Sequence, residues 1–150
     1  MGELDGRVAA ITGGSRGLGR EMVLAIADAG ANVVLVGRDS DSLEATAADV
    51  RELGREAVVL VGDAGKPGEC ESLCERALVE AGPIDILINN VGGRRVNVPI
   101  EDQTLAQWQE IIDLNLTSTF ICTKILGGAM VARGQGGRVI NVSSISAFIA

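Results

Sequence analysis

The chain predicts a doubly wound α/β sheet of parallel strands, on three observations. Five short runs rich in Val and Ile, at Val8–Ile11, Val33–Val36, Val58–Val61, Ile84–Ile88 and Val139–Val142, alternate with longer segments of helical period. Those runs are apolar at nearly every position, which suits strands buried on both faces; a strand with one wet face would alternate with polar residues. Strand, helix, strand in repetition then implies right-handed crossovers with helices covering both faces.

Each helix carries its own start and stop marks. The first has Leu18, Met22, Ala25, Ile26 and Ala29 on one stripe and Gly30 as its stop. A second follows with Leu43, Ala47 and Val50, stopped by Gly54. The third opens with Pro67 in its first turn, runs its stripe through Leu73 and Ala77, and ends at Gly82–Pro83. Proline loses no hydrogen bond at a helix start, and glycine accepts the left-handed conformation that ends one. A fourth helix begins at Thr104, where Gln107 three residues later completes a capping box, and runs to about Arg133. Gly134–Gly137 is a loop into the fifth strand. No repeat, low-complexity stretch or linker divides the chain, so 1–150 reads as one Rossmann-type domain of about five strands.

With 47% hydrophobic and 22% charged residues, the 150-residue chain has the composition of a folded domain rather than a disordered one. A formal charge of −7 argues against a nucleic-acid or anionic-membrane footprint, which needs clustered Lys and Arg. No apolar run approaches the length that spans a bilayer, and the start, MGELDGRVAA, lacks the basic and apolar regions of a secretory signal. The expected location is cytoplasmic, with no membrane partner. Three cysteines and no histidine argue against a disulfide framework or a metal site. Cys70 and Cys74 share a helix face with Leu73 and Ala77 and read as small core side chains.

The functional argument comes from the residues just past each strand, because an open parallel sheet binds its ligands outside the carboxyl ends of its strands. The first run leads into Gly13-Gly14-Ser15-Arg16-Gly17-Leu18-Gly19, the second into Gly37-Arg38 and the third into Asp63. The fourth leads into Asn89-Asn90 and the fifth into Ser143-Ser144. A strand that enters a helix through Gly13, Gly17 and Gly19 turns backbone N–H groups and the positive helix end toward an anion such as a pyrophosphate. Glycine there lets the backbone approach the ligand.

The spacing Gly-x3-Gly-x-Gly after Thr12 resembles the short-chain dehydrogenase/reductase family rather than the G-x-G-x-x-G fingerprint. Thr12 to Gly19 match the family's glycine motif, Asp63 its Asp after the third strand, and Asn89-Asn90-Val91-Gly92 its Asn-Asn-Ala-Gly. Asn115 in Asp113-Leu114-Asn115-Leu116 matches its mid-helix Asn, and Ser144 the Ser closing its fifth strand. The likeness covers the whole chain in the family's order; Val91 departs from the usual Ala and narrows the space beside the cofactor.

This resemblance implies a bound nicotinamide dinucleotide. Ser15, Arg16, Gly17 and Leu18 would lie near the phosphates, with Gly13 and Gly19 shaping the loop. Asp63 and Ala64 would meet the adenine, and Asn90, Val91 and Gly92 would line the ribose. Asn89 would hold neighbouring strands together. Read from residues alone, Asp63 could instead cap the helix near Pro67.

Charge bears on the choice of dinucleotide. Gly37 stands where an NAD enzyme commonly places an acidic residue, and Arg38 follows it. Arg16 in the loop and Arg38 could converge on a 2′-phosphate, so NADP(H) is the preferred cofactor. Asp39, two residues on, keeps NAD(H) as the alternative, and Arg38 could be a solvated loop charge.

Leu105, Trp108, Ile112, Thr119 and Cys122 place Asn115 on the buried stripe of the fourth helix, with Trp108 in the core. From the helix pattern alone Asn115 would be a core amide bonded to backbone. The resemblance implies instead that Asn115 holds a water in a proton relay. It also implies that Ser144 is a catalytic hydroxyl, polarising a substrate carbonyl and steadying the developing alkoxide.

One departure from the family is large. A carbonyl reductase of this kind uses a Tyr-x3-Lys after the Ser, whereas this sequence contains no tyrosine, and Lys66 and Lys124 fall elsewhere. The resemblance and this departure together imply a truncated, N-terminal part of an enzyme that interconverts a small-molecule carbonyl and alcohol, inactive alone and homo-oligomeric at full length. The alternative is a dinucleotide-binding or interaction module without chemistry. A methyltransferase on a similar sheet would use the glycine loop but leaves Asn89-Asn90, Asn115 and Ser144 without a role. Arg94 and Arg95 point to an anionic substrate or are solvated loop charges.

Overall fold

The computed structural model describes residues 2–94 and 97–145. Five strands, β1 (Val8–Thr12), β2 (Asn32–Gly37), β3 (Ala57–Val61), β4 (Ile86–Asn89) and β5 (Arg138–Asn141), form one sheet in the order β3-β2-β1-β4-β5, every pair parallel. The chain winds outward from β1 to β3, then returns to β1's other side for β4. That reversal opens a crevice at the carboxyl ends of β1 and β4, where doubly wound sheets bind ligands.

Helices α1 (Gly17–Asp28), α2 (Ser40–Glu52), α3 (Pro67–Glu80) and α4 (Leu105–Arg133) cover the two faces. Alternate strand residues divide the core between them. Ala9, Ile11, Val33, Leu35, Ile86 and Ile88 pack with Val23, Leu43, Ala47 and Val50 of α1 and α2. Ala10, Val34, Val36, Leu60 and Leu87 pack with Leu73, Ala77, Ile121, Leu126 and Met130 of α3 and α4. Ile11, Leu35, Leu60 and Leu87 are 0% exposed, and cutting any of them to Ala is worth about 2–5 kcal/mol of stability.

The expected elements form with small changes at their ends. β4 starts at Ile86 rather than Ile84; just before it, the Asp85 carboxylate accepts the Val8 N–H (3.0 Å) and pairs with Arg7 and Arg133 (3.2 and 2.8 Å). Thr104 and Gln107 make the capping box in full: the Thr104 hydroxyl accepts the Gln107 N–H, and the Gln107 side chain accepts the Thr104 N–H.

Two expectations need correction. β5 is exposed at all four residues rather than buried on both faces; it lies at the sheet's edge, and none of the described residues pairs with its outer side. α4, at 29 residues with a window of mean hydropathy 1.2, is long and apolar enough by length and composition to cross a membrane, contrary to the reading that no run approaches that length. In the fold it is a layer against the sheet, burying Leu114, Ile121, Cys122, Leu126 and Met130. Arg95 and the Ser146–Ala150 segment lie outside the described residues.

Candidate functional site

A cleft of about 610 Å³ opens at the carboxyl ends of the strands, within the range of small-molecule and cofactor sites. Of the residues singled out in the sequence, Gly13, Ser15, Arg16, Arg38, Asp63, Ala64, Asn90, Val91 and Gly92 line it together. Its floor is the glycine loop. The Gly13 N–H donates to the Val36 carbonyl (2.7 Å), pinning the loop to β2, and Gly13 and Gly17 have φ of +74° and +54°, which favour glycine. Gly19 is close-packed: a Cβ there would stand 1.9 Å from the Gly13 carbonyl oxygen and 2.7 Å from Asn90 Nδ2. Gly17, Leu18 and Gly19 build the first turn of α1 outside the cleft's lining, with Leu18 exposed.

The start of α1 differs from its neighbours. α2 is capped by Asp39, whose carboxylate accepts the Ser42 N–H (2.8 Å), and α4 by Thr104, but α1 has neither a side-chain cap nor an acidic residue in its first turn. Its leading N–H groups and positive dipole end therefore remain suited to an anionic group.

β4 closes the opposite wall. The Thr12 hydroxyl accepts the backbone N–H of both Asn90 and Val91, each at 3.0 Å, and Asn90 Nδ2 donates to the Thr12 and Gly13 carbonyls (3.1 and 3.3 Å). Asn89 turns the other way: its Nδ2 donates to Asn141 Oδ1 (2.8 Å) and to Thr123 Oγ1 (3.2 Å), tying β4 to β5 and α4. That is the strand-holding role expected of it.

At the β3 end, Asp63 does not cap α3, whose N-cap position is Lys66. Asp63 Oδ1 accepts the Gly65 N–H (2.9 Å) in a tight turn. Its own N–H donates to Glu69 Oε2 (2.6 Å), a bond that, with Lys66, holds the Glu69 carboxyl below its usual range. Arg16 and Arg38 are both exposed at the rim. The Asp39 carboxyl between them and α2 is lowered from its ordinary pKa, first by the Ser42 N–H and less by the charge of Arg16.

Asn115 departs from its expected place. It is exposed, as are Leu105 (80%) and Trp108 (48%), which were expected on the core side. α4 makes π-type turns at Asp113–Thr117 and Thr123–Gly127, and each extra residue shifts the angular register, so Leu114, Ser118, Ile121 and Cys122 take the buried positions. The Asn115 amide then clamps Gly93: Oδ1 accepts its N–H (2.8 Å), while Nδ2 donates to the Gly93 and Ile111 carbonyls (both 2.9 Å). Ser144 is exposed just beyond β5, and neither it nor Asn115 lines the cleft.

Sequence reasoning passed over several lining residues: Gly62, Gly93 and Leu114 carry no distinctive chemistry, although each adjoins a residue that was singled out. Cys70 and Cys74 are buried as expected, but Cys122, 48 residues beyond Cys74, joins them.

Comparison with known proteins gives a consistent result. Residues 7–150 match the family model described as short chain dehydrogenase. The chain is 34% identical over 147 residues to a 3-oxoacyl-[acyl-carrier-protein] reductase of Synechocystis, covering 97% of this chain and 59% of the relative. Among solved structures it is similar to L-sorbose reductase from Gluconobacter frateurii complexed with NADPH and L-sorbose. There the TM-score is 0.89 at 33% identity, covering 98% of this chain and 55% of that one. A 7α-hydroxysteroid dehydrogenase complexed with NADH and 7-oxo glycochenodeoxycholic acid gives a TM-score of 0.90 at 31% identity, covering 98% of this chain and 56% of that one. The chain thus spans somewhat more than half the length of these relatives.

Proposed function

Since the chain belongs to the short-chain dehydrogenase family, we propose that it is the dinucleotide-binding part of an NADP(H)-dependent oxidoreductase that interconverts a small-molecule carbonyl and an alcohol. Kinship leaves the dinucleotide open, because one neighbour was solved with NADPH and another with NADH. The observation that carries the choice is the rim: Arg16, Arg38 and Asp39 all line the cleft, but the Asp39 carboxylate is already engaged in capping α2. Two guanidiniums suit a 2′-phosphate, and a carboxylate already bonded to a helix N–H is a poorer acceptor for a ribose hydroxyl.

The cleft fits such a cofactor, with an uncapped α1 start and glycines that no Cβ could replace without displacing Gly13 or Asn90. When bound, the nicotinamide would supply or accept hydride. The chain's own residues would bind and orient. Gly13, Ser15, Arg16, Gly17, Leu18 and Gly19 form the phosphate loop, and Arg16 and Arg38 hold the 2′-phosphate. Asp63 and Ala64 meet the adenine, and Asn90, Val91 and Gly92 line the ribose. Ser144 would hydrogen-bond the carbonyl oxygen and stabilise the alkoxide. For Asn115 the clamp on Gly93 favours a positioning role over the water-holding one implied by resemblance.

Titration of the protein with NADPH and NADH, followed by nicotinamide fluorescence, tests the choice. At least about tenfold tighter NADPH binding is expected, roughly 1.4 kcal/mol; equal or tighter NADH binding overturns it. No tyrosine is present among the 150 residues to protonate an alkoxide, so the chain alone should bind without turnover. That same observation favours a second reading, a non-catalytic dinucleotide-binding or interaction module. The reading extends to a cytoplasmic protein, consistent with three unpaired cysteines, and to a homo-oligomer at full length, for which the exposed Leu105, Leu116, Phe120 and Val131 of α4 offer an apolar face.

A further inference from the structure

All three cysteines of the chain meet in the layer between α3 and the sheet. Cys70 and Cys74 stand one turn apart on α3, and Cys122 faces them from α4. Cys122 Sγ lies 3.5 Å from Cys70 Sγ and 3.6 Å from Cys74 Sγ, and the three sulfurs are all within 4.8 Å of one another. Their exposures are 1, 3 and 2%. A void of about 10 Å³ adjoins them, lined otherwise by apolar side chains and Thr12, and it shares only Ala64 with the nucleotide cleft. None of its lining residues is charged. Hydrogen bonds to Cys70 and Cys74, and then burial, keep the Cys122 thiol protonated well above its ordinary range.

We propose that Cys70, Cys74 and Cys122 form a binding site for a trivalent thiophilic species, of which arsenous acid is the simplest. Charge selects the valence. Three thiolates around a mono- or divalent ion would leave negative charge in a void with no cation to balance it, a costly burial; a trivalent centre gives a neutral product. Geometry agrees. For a bond from sulfur to the centre of about 2.3 Å, the separations of Cys122 Sγ from Cys70 Sγ and from Cys74 Sγ each subtend roughly 100°, the angle of a pyramid, whereas a planar three-coordinate centre would need sulfurs about 4.0 Å apart. In the reaction three S–H and three As–OH bonds break, three As–S bonds form, and the protons leave with the hydroxyls as three waters. Arsenic stays trivalent and no sulfur is oxidised. The site is independent of the dinucleotide reading.

Calorimetric titration of the reduced protein with arsenous acid, paired with native mass spectrometry, is the test. One arsenic per chain is expected, with the mass of arsenic less three hydrogens and a rise in the thermal midpoint on loading, as for a ligand that prefers the folded state. Cys70→Ser, Cys74→Ser and Cys122→Ser should each weaken binding by about 100-fold, the scale of losing one arm of a chelate. Each should still take up phenylarsine oxide, which needs only two thiols, if its melting curve shows a folded chain. Absence of binding, a single variant that binds arsenous acid as tightly as the parent, or a midpoint lowered by loading would each overturn the proposal.

Discussion

The two ends of the crevice are built differently. At the β1–β2 end the glycine loop is fixed from every side: Val36 holds Gly13, Asn90 holds Thr12 and Gly13, and Gly19 leaves no room for another atom. At the β5 end all four strand residues are exposed, Ser144 is exposed beyond them, and Phe120 and Leu116 on α4 face outward at 61 and 62%. The difference teaches that the closed end is a locally complete piece of structure, whereas the described residues do not enclose the β5 end. On the proposed reading, the closed end would hold the dinucleotide and the open end would meet the substrate.

The largest effect should come from attacking the closed end. Gly19→Ala forces a backbone shift at Gly13, so we expect a loss of about 2–3 kcal/mol, the upper range for overpacking, together with loss of measurable NADPH binding. Parental melting and affinity would show that this end is looser than its contacts imply. Next, Arg38→Ala or Arg16→Ala should weaken NADPH by roughly 10- to 100-fold, or about 1.5–3 kcal/mol per charged hydrogen-bonding partner, and leave NADH within about twofold. An equal loss for both dinucleotides would place these arginines elsewhere than at the 2′-phosphate.

Between the two ends, Asn115→Ala removes the clamp on Gly93 and should cost about 1 kcal/mol in a chemical melt, as expected for hydrogen bonds that water can partly replace. At the open end Phe120→Gln should change stability by less than about 0.5 kcal/mol while reducing self-association in sedimentation. The smallest effect concerns acid. Asp39 titrates lower in the folded chain than in the unfolded one, so its cap contributes fully above the unfolded value of about 3.9 and is lost as pH falls through the lower folded value. Asp39→Asn keeps a capping oxygen but should flatten that acid limb in melts; an unchanged slope would assign the limb to other carboxylates.

Most of the closed end was legible in the sequence because its determinants are local. Apolar runs announce strands, the Thr12–Gly19 spacing announces the loop, and Thr104 with Gln107 announces a helix start. The open end was read less well for physical reasons. Helical spacing groups Asn115 with Leu105 and Trp108, and that stripe already faces outward from the first turn of α4; the π-type turn at Asp113–Thr117 then shifts the register, so that Cys122 of the same expected stripe is buried. β5 has the apolar composition of an interior strand, but burial depends on neighbours that composition does not specify. Cys70 and Cys74 could be placed on one helix face; that Cys122 meets them was set by how α4 lies on α3.

The Thr12 hydroxyl gives the fold a dependence on chain order. Its two acceptor contacts are made by N–H groups 78 and 79 positions downstream, so the loop beside it is finished by residues synthesised long after it. A nascent chain that has emerged only through α3 would carry every glycine of the motif yet have no partner for that oxygen. On the proposed reading, affinity for a dinucleotide should therefore arise in a single step as β4 docks, rather than growing with each strand.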